Sequence, residues 1–211
     1  MNGPAPERGT LTGIVTGLRA EARLLRRSPL LACAGSEPEV AARAMVAAGA
    51  TRLLSFGLAG GLDPTLTPGT VILATEVISG GDRLPTDEAW RQGIARPAMI
   101  QAPLLGAGEP LARSDAKLAA GAVTGAVAVD MESGAVARVA REAGLPFLAL
   151  RAIADPAWRD LPPAVLRIID GQGRIRLRAA ALALALHPCP WPCWPPICGR
   201  PWRPCAASLP C

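Results

Sequence analysis

The sequence predicts an α/β fold: a single domain of three layers, α/β/α, around a mixed central sheet. Short apolar segments, several of them rich in β-branched residues, alternate with segments of helical periodicity. This alternation favours a sheet covered by helices on both faces. A chain of 211 residues, 50% of them hydrophobic, is long enough for one well-buried domain. Glu132 and Asp155 follow two strands that we expect to be neighbours, and open α/β sheets bind ligands at the carboxyl ends of their strands.

Two strands and two helices open the domain. Residues 11–16 are a short apolar strand that leads through Gly17 into a helix over about 20–27, and a second strand covers 29–34. Residues 38–49 have helical periodicity, begin with proline and end with glycine. Proline at the start and glycine at the end are typical helix boundaries.

The third and fourth strands enclose a glycine-rich segment. Residues 52–56 are apolar and run into a predicted turn at 57–61, whereas β-branched residues at 70–77 predict the fourth strand. Residues 80–97 are polar and interrupted by proline and glycine, which predicts a loop or lid. Loops of that length in compact domains are often functional.

The remaining elements complete the sheet. A helix over 133–143, which Glu132 opens, separates the last two strands, and Asp155 stands just past the final strand. The three strands are predicted at residues 98–105, 123–129 and 146–153.

The two ends of the chain differ from this domain, which we place at residues 11–187. Residues 1–10 are polar, contain proline and glycine, and are expected to be flexible rather than a secretory signal. Residues 188–211 are dense in proline, cysteine and tryptophan, and we interpret them as a frameshifted, disordered tail. The alternative is a genuine cysteine-rich redox or metal-binding tail, although its cysteine spacings fit no common zinc pattern.

Composition excludes several classes of function. The formal charge of +5 comes almost entirely from arginine, aromatic residues total 3% and tyrosine is absent, so the footprint of a nucleic-acid-binding protein is missing. No apolar run approaches the roughly 20 residues that span a bilayer. We therefore expect a soluble, cytoplasmic protein without a nucleic-acid partner. The only histidine is His187, so we expect neither a metal site nor a cofactor.

Three carboxylates are candidates for chemistry. Glu21 follows the first strand and can act as a general base toward water, or it can simply favour the first turn of a helix. Glu132 and Asp155 have the same two interpretations, as functional groups or as helix-terminal charges. The glycines of residues 57–61 allow the backbone to approach a flat ligand or an anion, but they form neither a Walker loop nor a dinucleotide fingerprint.

In combination, these motifs resemble the nucleoside phosphorylase/nucleosidase family, in particular the nucleosidases of 5′-methylthioadenosine and S-adenosylhomocysteine. The resemblance spans roughly residues 11–165. Within the family, the run at 55–69 is similar to the hopanoid-biosynthesis branch, which is linked to loss of adenine from adenosylhopane. The matching motifs are Gly-x-x-x-Glu within 17–25, Gly-x-Ala-Gly-Gly-Leu at 57–62, Asp-Met-Glu-Ser-x-Ala-Val-Ala at 130–137 and Arg-x-Ile-x-Asp at 151–155.

The resemblance implies catalytic roles for individual residues. Asp155 would be the general acid that protonates N7 of adenine, and Glu21 would activate the attacking water. Glu132 would accept hydrogen bonds from the ribose hydroxyls, and Met131 would line the sugar. Arg151 would orient the carboxylates electrostatically.

The resemblance also implies a purine site and leaves the nucleophile open. Ala59 and Gly60 would border the purine, with Ile153 offering backbone groups to its edge. Arg19 is a candidate phosphate ligand if the reaction is phosphorolysis, but a carboxylate at position 21 favours water because it would repel phosphate. The chain departs from the family at Ala154, where serine is usual.

Other implications concern partners and alternatives. A homo-oligomer is expected by resemblance, and an arginine-rich helix around residues 174–178 would suit contact with an anionic membrane. The alternative functions are a phosphorolytic purine nucleoside phosphorylase, a methylthioadenosine/adenosylhomocysteine nucleosidase, and an inactive nucleoside-binding module.

Overall fold

The structure is a computed structural model, and it describes residues 9–161. Eight strands and five helices lie within these residues. The strands are β1 (Thr12–Thr16), β2 (Leu30–Cys33), β3 (Arg52–Gly61), β4 (Val71–Ser79), β5 (Asp82–Pro85), β6 (Met99–Gly106), β7 (Ala128–Asp130) and β8 (Phe147–Asp155). The helices are α1 (Arg19–Leu24), α2 (Pro38–Ala47), α3 (Glu88–Ile94), α4 (Ser114–Thr124) and α5 (Ser133–Glu142).

Three expectations fall on other parts of the chain. Most of the N-terminus that is predicted to be flexible, the helix predicted around 174–178 and the tail at 188–211 lie outside the described residues.

The sheet is mixed, which confirms the predicted α/β class. Strand β1 pairs in parallel with β2 and with β3, and β3 pairs in parallel with β8. Strand β7 runs antiparallel to β3 but parallel to β6, and β4 pairs in parallel with β6 but antiparallel with β5 and β8. Strands β3, β8, β4, β6 and β7 therefore close into a ring, so this part of the sheet has no free edge.

The main core lies between this sheet and two helices. Helices α2 and α5 pack on each other and on the strands, and α5 contributes the buried residues Val136, Ala137, Val139 and Ala140. The strand residues that face them include Leu53, whose side chain has no solvent exposure. Burial of a valine or leucine side chain stabilises the fold by about 1.5–3 kcal/mol, so Val136 and Val139 help to hold α5 against the sheet.

Residues 80–97 are not a loop, contrary to the sequence-based expectation. They form β5 and α3, because Leu84 is buried at the register position opposite Val77 of β4. Asp87 begins α3 by accepting a hydrogen bond from the Trp90 N–H at 2.7 Å, as expected of a helix cap. The polar composition of the segment hid these short elements.

Two further boundaries were wrong. The strand predicted at 123–129 is in fact the end of α4, which stops at the left-handed Gly125 (φ 74°), followed by the short β7. The glycine-rich segment at 57–61 is not a turn but the second half of β3. Consequently β3 lies between β7 and β8, so the strands before Glu132 and at Asp155 are not direct neighbours.

Candidate active site

The candidate site lies at an interruption in the pairing of β3. On one side of β3, β1 pairs as far as Ser55, and β7 takes over only at Gly60. Between these points the backbone of β3 has no strand partner on that side. Glu21 supplies one instead, since its Oε1 accepts a hydrogen bond from the Leu58 N–H at 2.8 Å.

Glu21 is placed there by the start of α1. The helix begins directly after β1, and Glu21 Oε2 accepts a hydrogen bond from the Leu18 N–H at 2.8 Å. This bond satisfies one of the amides left unpaired at a helix amino terminus. Glu21 is buried, with only 7% of its surface exposed to solvent. Glu21 is therefore an ordinary helix-terminal carboxylate locally, but it is held inside the sheet interruption.

Two glycines make room for the charged groups of the site. A Cβ on Gly17 would lie 2.3 Å from Glu132 Oε1. A Cβ on Gly57 would lie 2.5 Å from Arg151 Nη1 and 2.6 Å from Glu21 Oε1. Any larger residue at either position would displace these groups, so the glycines are required by close approach.

Arg151, on β8, joins the carboxylates into a buried network. Its side chain is 1% exposed, and Nη2 forms ion pairs with Asp130 and with Glu132, the latter at 3.3 Å. The same nitrogen donates to Ser55 Oγ at 2.6 Å and to Ser133 Oγ at 3.1 Å. Arg151 thus pairs with Glu132, one of the carboxylates that it is predicted to orient.

Part of the Arg151 guanidinium has no partner among the described residues. Nε and Nη1 are buried and form no hydrogen bond with them, whereas buried N–H groups are normally paired. Nη1 and Glu21 Oε1 approach the same point above Gly57. Glycine at position 57 therefore lets both groups pack closely against the backbone of β3.

Burial raises the pKa of Glu132 to about 7 from an ordinary 4.5. The attraction of Arg151 opposes this shift, while the negative charges of Asp130 and Glu21 add to it. Glu132 is the residue directly before α5, where the helix end holds it against Arg151. Near neutral pH this carboxyl can exist in either protonation state.

This shift predicts a pH-dependent stability. Because the folded state binds the Glu132 proton more tightly than the unfolded chain does, the free energy of unfolding is expected to decrease as pH rises from about 4.5 to 7. The Glu132 contribution is on the order of 2–3 kcal/mol. Urea unfolding of the wild type and Glu132→Gln at pH 5 and pH 8 measures it. Equal pH dependence in both proteins would contradict the assignment.

Asp155 is the last residue of β8. This strand pairs with β3 along the edge opposite to the one that β1 and β7 occupy. The Asp155 side chain is 19% exposed, and both carboxylate oxygens are 3.4 Å from the point where a Cβ on Gly60 would be. Asp155 forms an ion pair with Lys117 of α4. The sequence reasoning missed Lys117, although one signal was available, because it is the single lysine of the chain.

The other predicted site residues differ in their exposure to solvent. Met131 is 45% exposed beside Glu132. Ala59 and Ile153 are buried in the main core, and the Ile153 N–H and C=O are bonded to Thr70 and Gly69 respectively. Arg19 is exposed at the start of α1. The structure thus brings Glu21, Glu132 and Arg151 together, with Met131 beside them, whereas Asp155 pairs with Lys117 instead and Arg19 is exposed.

A cavity adjoins Glu132. It has a volume of about 350 Å³ and is bordered by Met131, Glu132, Arg138 and the loop after β2. Such a space is of the size that holds a small organic ligand. Within residues 9–161 no group of three or more side chains could bind a metal ion, and no helix there is long and apolar enough to cross a membrane.

The comparisons with known proteins identify relatives of this chain. Residues 34–187 match the model of the phosphorylase superfamily, which is more than half of the chain. No curated protein matches.

Several solved structures are similar over most of this chain. The 5′-methylthioadenosine/S-adenosyl homocysteine nucleosidase of Campylobacter jejuni is 19% identical, with a TM-score of 0.63 over 84% of this chain and 97% of that one. The S-adenosylhomocysteine nucleosidase of Streptococcus pyogenes is 18% identical, with a TM-score of 0.62 over 84% and 95%. Futalosine hydrolase of Helicobacter pylori is 16% identical, with a TM-score of 0.63 over 83% and 97%. At these identities the likeness establishes the shared fold.

Proposed function

Since the chain belongs to the phosphorylase superfamily and is therefore a glycosyl-bond-cleaving enzyme, we propose that it hydrolyses the N-glycosidic bond of a 5′-substituted adenosine and releases adenine. One observation carries this proposal. Glu21 lies at the interruption of β3 and packs against Gly57 together with Arg151, which pairs with Glu132. Glu21 is the proposed base and Glu132 the proposed sugar-binding carboxylate, and Asp155, the proposed acid, ends β8 opposite Gly60 of β3.

In the proposed reaction the C1′–N9 bond breaks and its electron pair passes to the purine. Asp155 in its protonated form gives a proton to N7, so the base leaves as neutral adenine and Asp155 becomes the carboxylate that pairs with Lys117. The oxygen of water bonds to C1′, and Glu21 takes the proton that this water loses. Exchange with solvent then returns a proton to Asp155 and removes one from Glu21, so the products are adenine and the 5-substituted ribose.

Glu132 is proposed to hold the ribose. An ionised carboxylate can accept hydrogen bonds from two hydroxyls at once, and Arg151 at 3.3 Å favours that ionised form. Met131 lies beside it with 45% of its surface exposed, available to contact the sugar. We place the purine next to Gly60, where the missing side chain leaves Asp155 accessible.

Water is a better fit than phosphate as the nucleophile. Glu21 is buried with both oxygens directed at backbone N–H groups and toward Arg151, and its negative charge would repel an anion. Ser55 is already bonded to Arg151, and Arg19 is exposed. Phosphorolysis with Arg19 as the phosphate ligand is the second candidate. Measuring adenine release with and without phosphate distinguishes phosphorolysis from hydrolysis.

Glu21→Gln is expected to reduce adenine release about 10²- to 10⁴-fold, the usual contribution of a positioned base. Glutamine keeps the size of the side chain but cannot take the proton of water. The measurement is the rate of adenine release with and without phosphate. Glu88→Gln is the matched control, because Glu88 is an exposed first-turn acid of α3. Activity that requires phosphate would favour phosphorolysis, and a Glu21→Gln variant as active as the control would show that Glu21 is not the base.

We propose an apolar 5′-substituent, with adenosylhopane as the first choice. Leu58 is 46% exposed and Met131 is 45% exposed beside the charged cluster, which suits a hydrocarbon group. Comparing kcat/KM for adenosylhopane with that for 5′-methylthioadenosine tests this choice. A preference for the smaller nucleoside would instead favour a methylthioadenosine/adenosylhomocysteine nucleosidase, and purine binding without turnover would favour an inactive module.

The cellular setting is also proposed. We expect a cytoplasmic homo-oligomer that acts on a small nucleoside without nucleic acid. Contact with an anionic membrane would bring the enzyme to a lipid-linked substrate, and sedimentation with anionic vesicles tests it.

A further inference from the structure

Lys117 occupies an unusual position for a lysine. The chain has 22 basic residues, of which only this one is lysine. It lies in α4 and its side chain has no solvent exposure. Buried lysines are rare unless their charge is paired, so this residue calls for a specific reason.

The hydrogen-bond acceptors around Lys117 match the three donors of an ammonium group. Nζ pairs with Asp155 Oδ2 and donates to the backbone carbonyls of Arg159 at 2.8 Å and of Pro156 at 3.3 Å. Three donors therefore meet three acceptors. The planar guanidinium of arginine has five donors in a fixed fork, and it would leave several of them unpaired in this enclosed space.

These contacts join the proposed acid to the rest of the fold. Asp155 ends β8, and the chain continues through Pro156 to Arg159 as a loop. Lys117 binds both ends of this short segment and anchors it to α4. The carboxylate is thereby held at one position beside Gly60.

We propose that Lys117 is the positioning residue of the catalytic acid. It keeps the Asp155 carboxyl group at one position and stabilises the negative charge that Asp155 acquires when its proton passes to the purine, as preorganised cations do in other sites. This inference rests on the proposed function, because it assumes that Asp155 protonates the purine.

A double-mutant cycle tests whether Lys117 acts through Asp155. Lys117→Met is expected to lower kcat for adenine release about 10- to 100-fold, the size of one charge-assisted hydrogen bond. In the Asp155→Asn background the same change is expected to lower kcat less than about threefold, because the group that it positions is already disabled. Leu118→Ala, at a 40% exposed position of the same helix, is the control and should leave kcat unchanged.

A second measurement does not depend on activity. Since Lys117 is the single lysine, selective ¹⁵N-lysine labelling of the whole chain places one side-chain ammonium signal in the NMR spectrum. We expect this signal to be protected from solvent exchange and to shift in Asp155→Asn. A rapidly exchanging signal that Asp155→Asn leaves in place would overturn the proposal.

The outcomes distinguish this inference from the function on which it rests. Equal losses from Lys117→Met in both backgrounds, with an active wild type, would overturn the positioning role alone. A wild type that releases no adenine, while the ammonium signal still responds to Asp155→Asn, would overturn the proposed function and the catalytic part of this inference with it.

Discussion

Replacing Asp155 by asparagine is expected to slow adenine release about 10²- to 10⁴-fold, the range for loss of a general acid. This corresponds to roughly 3–5 kcal/mol in the activation free energy. Asparagine has the same shape, but it cannot donate a proton to N7, so the purine would have to leave as an anion. Because the lost proton transfer belongs to the chemical step, we expect the change in activity to appear in kcat more than in KM.

Steady-state adenine release measures this effect, with Asp63→Asn as the matched control. Asp63 also follows a strand, but it only accepts hydrogen bonds from Thr65 within a turn. We expect the control to retain wild-type kcat. If Asp155→Asn retained it as well, Asp155 would not be the acid.

Arg151→Met is expected to lower the free energy of unfolding by about 3–5 kcal/mol, as found when one partner of a buried ion pair is removed. Asp130, whose side chain is 1% exposed, and Glu132 would both lose their cation. Ser55 and Ser133 would lose a donor at the same time. Methionine fills a similar volume, so the loss reflects the uncompensated carboxylates rather than a large cavity.

Urea unfolding at pH 7 measures this loss of stability, with Arg43→Met as the control. Arg43 also bridges two carboxylates, Glu39 and Glu142, but all three side chains are about half exposed. Exposed pairs contribute roughly 0–1 kcal/mol, so the control should be nearly neutral. Similar losses in both variants would contradict the account of the buried network.

The positions of Glu21 and Glu132 in the fold were predictable because their signals are local. Glu21 and Glu132 each lie where a helix begins after a strand, and such junctions are visible as a change in periodicity. The sheet order was not predictable in the same way. Gly60 and Gly61 look like turn residues, and only their pairing with β7, whose residues lie far along the chain, makes them part of β3.

Lys117 was missed for a related reason. Nothing in the sequence around α4 indicates that its lysine reaches Asp155, 38 residues later. The contact depends on how α4 packs against the loop after β8. Likewise, Ala59 and Ile153 belong to motifs next to the site, but the alternation of side chains along a strand directs them into the core.

The most direct test of the central claim is the fate of the oxygen at C1′. The whole chain would be incubated with 5′-methylthioadenosine and with adenosylhopane in H₂¹⁸O without phosphate, and the released sugar analysed by mass spectrometry. We expect adenine and a sugar that carries one ¹⁸O atom at the former glycosidic carbon. No adenine from either nucleoside, or release only after phosphate is added with a sugar phosphate free of ¹⁸O, would contradict hydrolysis at this site.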